Sequence, residues 1–317
     1  DVYYNFALEY YFTVEKILPD TVFLFWQTTP TLMVGKIQNV LEEINKPYAD
    51  EHGIHIVRRM SGGGTIYTDL GGWQFTFIQK RSDREIEFQE YIEPVIDALR
   101  ELGIYASFNG RNDLTIDGRK FSGNAQYRLG ECTVHHGSLL YQTDIDQMVA
   151  STTVDDYKIL SKSIKSVRDR VTNIADHMQN PMEAEKFKWQ MVKFIMHGRT
   201  DTYIVTEEDR QRIRQIAEEK FHNWESIFGA SPRFNIERTG RFAGGKMQFQ
   251  LEIKKGQICN AAVYGDFFAT VDAEKICGVL IGCRYDRKVI LERLKKHDME
   301  HAVYGITAEE IASLIAD

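Results

Sequence analysis

The chain has 317 residues, 43% hydrophobic and 12% aromatic, enough for one large domain with a small one, or for two of medium size. Its charges are plentiful but mixed in sign, so disorder is not indicated, and the net charge of −7 argues against general nucleic-acid binding. The longest apolar runs, such as Val22-Phe23-Leu24-Phe25-Trp26, fall far short of a membrane span.

The chain starts at Asp1 with neither Met nor a signal-like apolar stretch, so a trimmed N-terminus is expected. From Asn39 to His52, Val40, Leu41, Ile44 and Tyr48 recur at helical spacing, and Gly53 ends the run. Ile54-His55-Ile56-Val57 alternates like a strand, Gly62 to Gly64 interrupt, and Thr65 to Thr68 resumes as a strand. Trp73 to Ile78 alternates cleanly. A helix is predicted from about Glu87 to Leu102, kinked or started at Pro94 and closed by Gly103. The stretch Asp113 to Arg128 reads as a hairpin turning at Asp117-Gly118, and Thr133 to Tyr141 as another strand.

Helices are predicted near Asp144–Ala150, Met182–His197 and Glu207–Trp224. Gly229-Ala230-Ser231-Pro232 reads as a linker, after which Met247–Ile253 and Ile258–Tyr264 alternate around a Lys255-Gly256 turn. Helices follow at about Ala273–Gly282, Arg287–His297 and Ala308–Ala316. Strands gather in the first half and helices in the second, so the expected fold class is α+β with a mixed sheet. The boundary is expected near residue 232, with residues 1–232 as one domain and 233–317 as a small α+β domain.

The four cysteines, Cys132, Cys259, Cys277 and Cys283, form no Cys-x-x-Cys pair, and Cys277 and Cys283 have no neighbouring His at ligand spacing. They predict a reduced, cytoplasmic protein without structural zinc.

Two segments carry chemistry. Arg58-Arg59-Met60-Ser61-Gly62-Gly63-Gly64 is a basic glycine loop. Consecutive glycines weaken a strand and let backbone approach a ligand, while arginines grip anions bidentately. The bland reading is a flexible turn with surface arginines. The loop lacks the Walker ending and the G-x-G-x-x-G spacing. The second segment, Asn112-Asp113-Leu114 through Ala125, delivers Lys120 from the hairpin, with small residues Ser122, Gly123 and Ala125 beyond it. A strand lysine is commonly just solvated. Alternation puts Arg119 and Lys120 on opposite faces, and does the same for His135 and His136. Lys158, Lys162, Lys165, Arg168 and Arg170 make a basic run with one acid, Asp169. It is either a solvated face or a mobile basic flap.

These motifs together resemble the lipoate–protein ligase A family over nearly the whole chain. Further matching stretches are Tyr4 to Tyr10, His136-Gly137-Ser138-Leu139-Leu140, Lys165 to Asn173, and the region after Pro232. The resemblance implies a biotin/lipoate-ligase-like catalytic domain with a C-terminal accessory domain. It implies that lipoate and ATP, with Mg²⁺, give lipoyl-adenylate, and that the lipoyl group passes to a carrier lysine. Lys120 would be the catalytic cation, touching both nucleotide and lipoate. Arg59, Gly64, Thr65, Ile66, Tyr67, Asn112, Asp113, His136, Ser138 and Arg168 would bind ATP or the adenylate, with Asp113 a possible metal ligand. Arg58, Ser61, Gly62, Gly63, Ser122, Gly123 and Ala125 would shape the lipoate site. The acceptors implied are lipoyl domains of 2-oxoacid dehydrogenase acyltransferase subunits, or a glycine-cleavage H or H-like protein.

Where relatives commonly read Tyr-His-Asp-Leu-Gly-Asn, this chain has Tyr67-Thr68-Asp69-Leu70-Gly71-Gly72, which removes a titratable ring near the pocket. Two competing readings remain open at this point. One is a cysteine-dependent octanoyl- or lipoyl-transferase of the same fold, for which Cys132 is the thiol at hand. The other is a non-catalytic carrier-binding paralogue.

Overall fold

The computed structural model describes every residue except 39, 82–85, 153–166, 228–235, 255 and 317. The expected linker and boundary near residue 232 therefore lie outside the described residues, as does most of the basic run. Alternating apolar residues build a six-stranded antiparallel sheet in the order β1-β5-β9-β8-β7-β6. These strands span Val22–Trp26, Gly72–Lys80, Cys132–Leu140, Arg119–Leu129, Asp113–Ile116 and Ser107–Phe108. A second sheet sets β2 (Thr31–Val34) parallel to β3 (His55–Arg58) and antiparallel to β4 (Ile66–Thr68), so the expected mixed sheet is this small one.

Every residue of β9 is buried because helices cover both faces of the large sheet. On one face the helix Gln89–Glu101 turns Tyr91, Ile92, Val95, Ala98 and Leu99 onto Phe75, Phe77 and Leu139. Each large apolar side chain buried there contributes about 1.5–3 kcal/mol. Pro94 lies within this helix rather than at its start. On the other face the N-terminal helix Val2–Tyr10 packs Val2, Phe6 and Ala7 with Ile78, Val134, Ile213 and Phe221.

The helix expected over Asn39–His52 is instead two helices, Val40–Glu43 and Lys46–Glu51. Pro47 stands in the first turn of the second, where its missing N–H costs nothing, and Asn45 Oδ1 caps that turn by accepting from Tyr48 N at 3.2 Å. The helix expected over Glu207–Trp224 likewise ends its α-helical part at Ile216 and continues as a wider turn, Ala217–Phe221.

The hairpin turns as expected at Asp117 and Gly118, both with positive φ (50° and 75°), matching the twist of β7 and β8. Strands β10 (Ile236–Phe242), β11 (Gly245–Lys254) and β12 (Gln257–Gly265) make a separate antiparallel sheet. Helices Ala273–Leu280, Arg287–Lys296 and Ala308–Ala316 cover it around Phe249, Leu251, Ile276, Ile290 and Ile311. Among the described residues no helix is long and apolar enough to cross a membrane.

Candidate active site

Two adjoining cavities meet at Lys120. The first draws on β8 and β9, with the apolar Phe6, Trp26 and Met33 and with Arg59, Gly63, Gly64, Asn112 and His136 among its lining. The second runs over Tyr67, Phe121, Ser122, Leu140, Met148 and Val149 to Val167 and Val171. Thr65, Ile66, Lys120, Gly123 and Ser138 line both. The two cavities thereby open on to one ammonium group.

Lys120 reaches this junction because a β-bulge interrupts the β7–β8 register: Leu114 faces Ser122 and Thr115 faces Lys120, leaving Phe121 unpaired. Bulges re-aim side chains at such points. Its Nζ lies 2.7 Å from Asp113 Oδ1, so the ammonium is held by one half-buried carboxylate. Lys120 also folds over Gly123, where a Cβ would stand 3.2 Å from Nζ.

The two arginines of the glycine loop have diverged in role: Arg58 is the last residue of β3 and Arg59 the first beyond it. Arg58 lines neither cavity. Its Nη1 donates to the carbonyls of Gly35, Lys36 and Gln38, and its Nε and Nη2 donate to Ile227 O. It is a clamp joining loop, helix and turn. Arg59 is buried, and its guanidinium donates to Met33 O at 2.6 Å and to Gly62 O and Gly64 O at 2.7 Å each. Burial lowers its pKa to about 10, with the charge of Arg58 adding to the effect; it remains cationic at neutral pH. Arg59 thus staples the loop into its curve while presenting positive potential to the first cavity.

Beneath the loop, Ser61 Oγ accepts from Arg59 Nε at 3.1 Å and lies 2.6 Å from His136 Nε2. His136 Nδ1 faces the carboxylate of Glu9 at 3.2 Å, and Thr76 and Tyr127 hydroxyls donate to that carboxylate. Ser61 itself is fully buried and supports the loop from below. Gly62 meets the C-terminal unit: Gly63 N donates to Phe267 O at 3.1 Å, and Phe268 lines the first cavity. His135, on the opposite face, stacks on Tyr91 at 4.9 Å within the core. The two histidines therefore divide as strand alternation predicts. Arg168 lies outside both cavities and pairs bidentately with Asp146 at 2.7 Å. Thr68 also lines neither; buried, it accepts from Gln74 Nε2 at 2.9 Å, and Gln74 is the residue that reaches the first cavity. Tyr67, lining the second cavity, donates to Gln147 Oε1.

Sequence reasoning missed Glu9, Trp26, Gln74, Met148 and Phe268. Glu9 sits inside the Tyr4–Tyr10 stretch, where an acid amid aromatic residues was the available signal. Nothing in the sequence marks Phe268.

Cys132 is buried among Val134, Ile78 and Phe12, lines neither cavity, and burial raises its pKa. A thiolate route has no support from that position. Among the described residues no group of three or more His, Cys, Asp or Glu is placed to hold a metal ion.

The geometry defines two adjoining cavities that share one lysine, with Phe267 and Phe268 packed on the glycine loop. The lipoyl protein ligase A/B catalytic domain family matches residues 1–196, and the bacterial lipoate protein ligase C-terminus family matches residues 231–315. The lipoate-protein ligase LplJ of Bacillus subtilis strain 168 is 40% identical over 317 residues, covering 98% of this chain and 96% of its own. Among solved structures, P. falciparum LipL1 in complex with lipoate has a TM-score of 0.78 at 21% identity, covering 93% of this chain and 91% of that one. A lipoate-protein ligase A bound with ATP has a TM-score of 0.59 at 23% identity, covering 72% and 94% respectively. The chain belongs to the lipoate–protein ligase family, and it is a ligase.

Proposed function

We propose that the chain activates lipoate with ATP at the junction of the two cavities and then transfers the lipoyl group to a lysine of a carrier domain. In the first step a lipoate carboxylate oxygen attacks the α-phosphorus, and the bond to pyrophosphate breaks. Both reactants are anionic, so repulsion and developing charge dominate the barrier, and one fixed ammonium offsets them. The observation that carries this reading is that Lys120 lines both cavities at once. In the second step the carrier amine attacks the acyl carbon, AMP leaves, and the amine gives up its proton.

Names of similar proteins support the two ligands: lipoate in one neighbour and ATP in another. The first cavity, with Phe6, Trp26 and Met33 in its lining, suits the apolar tail and ring of lipoate. The second suits the nucleotide, with Tyr67, Met148 and Val149 offering apolar surface to a base. Of the residues expected to bind nucleotide, Arg59, Asn112 and His136 line only the first cavity and Ser138 lines both, while Ser122, expected at lipoate, lines only the second; Ser61 and Gly62 act by shaping the loop.

Magnesium is held in proteins by one or two carboxylates together with substrate phosphate oxygens. Asp113, ion-paired to Lys120 and lining neither cavity, is the carboxylate nearest that ammonium; with substrate phosphate oxygens it would hold the ion, which would neutralise phosphate charge there. Acceptors of the lipoyl-domain kind follow from the family, among them acyltransferase subunits of 2-oxoacid dehydrogenases and H-type proteins. The two-domain division at about residue 232 is part of the same proposal.

The test is lipoate-dependent release of pyrophosphate from Mg-ATP by a Lys120→Ala variant. Lys120 is partly exposed, and the Asp113 carboxylate it leaves behind keeps a quarter of its side chain exposed to water, so the variant is expected to fold and to lose this release. Normal turnover by the folded variant would overturn the assignment.

A further inference from the structure

We infer that His177 is a positioning residue for Lys120, acting through a strap of chain that lies beside the hairpin; the inference rests on Lys120 being the reacting cation. Both backbone groups of Lys120 are directed away from its hairpin partner. Lys120 N donates to Arg170 O at 2.7 Å, and Thr172 N donates to Lys120 O at 2.9 Å, as an isolated parallel bridge centred on Val171. The strap, rather than the hairpin partner Thr115, therefore fixes where the lysine backbone sits.

The strap is itself tied back to the hairpin by one ring. His177 Nε2 lies 2.9 Å from Thr172 Oγ1, and its Nδ1 faces Asp117 Oδ2 at 3.5 Å. Asp117 is the turn residue three positions before Lys120. Hairpin tip, imidazole and Thr172 thus close a circuit whose last link is the hydrogen bond to the Lys120 carbonyl. Thr172 is buried, so loss of the ring would strip its hydroxyl of this partner where solvent cannot replace it. Beyond Thr172 the strap is anchored independently: Asn173 exchanges hydrogen bonds with Thr143, and Ala175 N donates to Tyr141 O. The ring's effect is consequently local to the lysine. Since Val171 also lines the second cavity, displacement of the strap moves the lysine and the cavity wall together.

The role predicts a split in kinetic parameters, because a misplaced ammonium weakens the transition state more than the ground-state complex. Exchange of labelled pyrophosphate into ATP, dependent on lipoate, is measured for His177→Ala, His177→Gln and Lys120→Ala side by side. For His177→Ala, kcat should fall about tenfold, within the range that a displacement of an ångström or less produces, with the KM for lipoate within about twofold of the parent. His177→Gln, whose amide reaches where Nε2 stood, should recover most of the loss. Amide hydrogens of Lys120 and Thr172 should exchange faster in the Ala variant.

A wild-type kcat in folded His177→Ala, a change confined to KM, or equal losses in the Ala and Gln variants would overturn the inference. Should His177→Ala not accumulate as folded protein, Thr172→Val cuts the same contact and is judged by the same split. Activity surviving in Lys120→Ala would instead remove the underlying reading of the lysine, so the two failures are told apart.

Discussion

The carboxylate of Glu9 stands 3.2 Å from Nδ1 of His136, and the opposite nitrogen of that ring lies 2.6 Å from Ser61 Oγ. A helix at the start of the chain is thereby linked to the glycine loop through one imidazole. Glu9 is fully buried, and its oxygens also accept from Thr76 and Tyr127. Glu9→Ala leaves three groups without their acceptor in a dry setting. Such a variant should lose about 3 kcal/mol of stability, in the range measured when one partner of a buried pair is removed. Glu9→Gln, which keeps two polar atoms, should lose less than half of that. Urea unfolding of the two variants checks this, and equal losses would mean that shape rather than hydrogen bonding matters at the site.

Gly123 faces the bend of Lys120, and a Cβ there would meet Nζ at 3.2 Å and Cε at 3.3 Å. The obstacle is the far end of a flexible side chain, so the fold can yield by moving the ammonium. Gly123→Ala is therefore expected to keep its melting temperature within a few degrees while the adenylation rate falls about tenfold or more. Gly123 pairs with Asp113 across the hairpin, the residue that holds the ammonium, so both partners of the ion pair feel the change. Thermal melting and pyrophosphate release measured on one preparation separate the two effects.

Much of this site was legible in the sequence because it is built from local signals. The Asp117-Gly118 turn fixes the hairpin, and alternation along β9 separates a core histidine from a cavity histidine. What was hidden depends on distant segments. Arg58 and Arg59 are indistinguishable as letters, yet one binds carbonyls of residues 35, 36, 38 and 227 and the other curls the loop. Glu9 joins His136 across 127 positions. The helical periodicity over residues 39–52 was read as continuous because Pro47 falls where a helix can either break or begin; the cap from Asn45 decides for a new helix.

Burial holds the His135 imidazole well below its ordinary pKa, and the charge of His136 adds to the effect. The folded chain therefore keeps this ring neutral where the unfolded chain, with an ordinary histidine near 6.5, takes up a proton. The unfolded state binds more protons as the pH falls, so stability is fully present above about pH 6.5 and declines below it, by about 1.4 kcal/mol per pH unit from this group. His135→Phe retains the stacking on Tyr91 and removes the titration. Unfolding free energies at pH 7.5 and 5.5 should differ less in the variant than in the parent. Parallel pH slopes would assign the acid sensitivity to other groups.

The seam between the glycine loop and the C-terminal unit rests on a close approach of backbone. A Cβ on Gly62 would stand 2.3 Å from Phe267 O, and the neighbouring Gly63 N donates to that same carbonyl at 3.1 Å. Neither atom belongs to a flexible side chain, so one segment must withdraw. The loop is stapled by Arg59 to Met33, Gly62 and Gly64, whereas Phe268 is held by one backbone hydrogen bond, from Tyr304 N at 2.9 Å, and by ring contact with Phe88 at 5.5 Å. Gly62→Ala should consequently push the Phe267–Phe268 segment off the loop while leaving the large sheet intact. The Gly63 amide hydrogen, protected by Phe267 O in the parent, is expected to exchange about tenfold faster or more in the variant, as a hydrogen bond of about 1 kcal/mol and its surrounding packing are lost. Amides of β5 and β9 should be unaffected. Hydrogen exchange followed by mass spectrometry reads both regions at once, and unchanged protection at Gly63 would mean that the seam takes up the added methyl without separating.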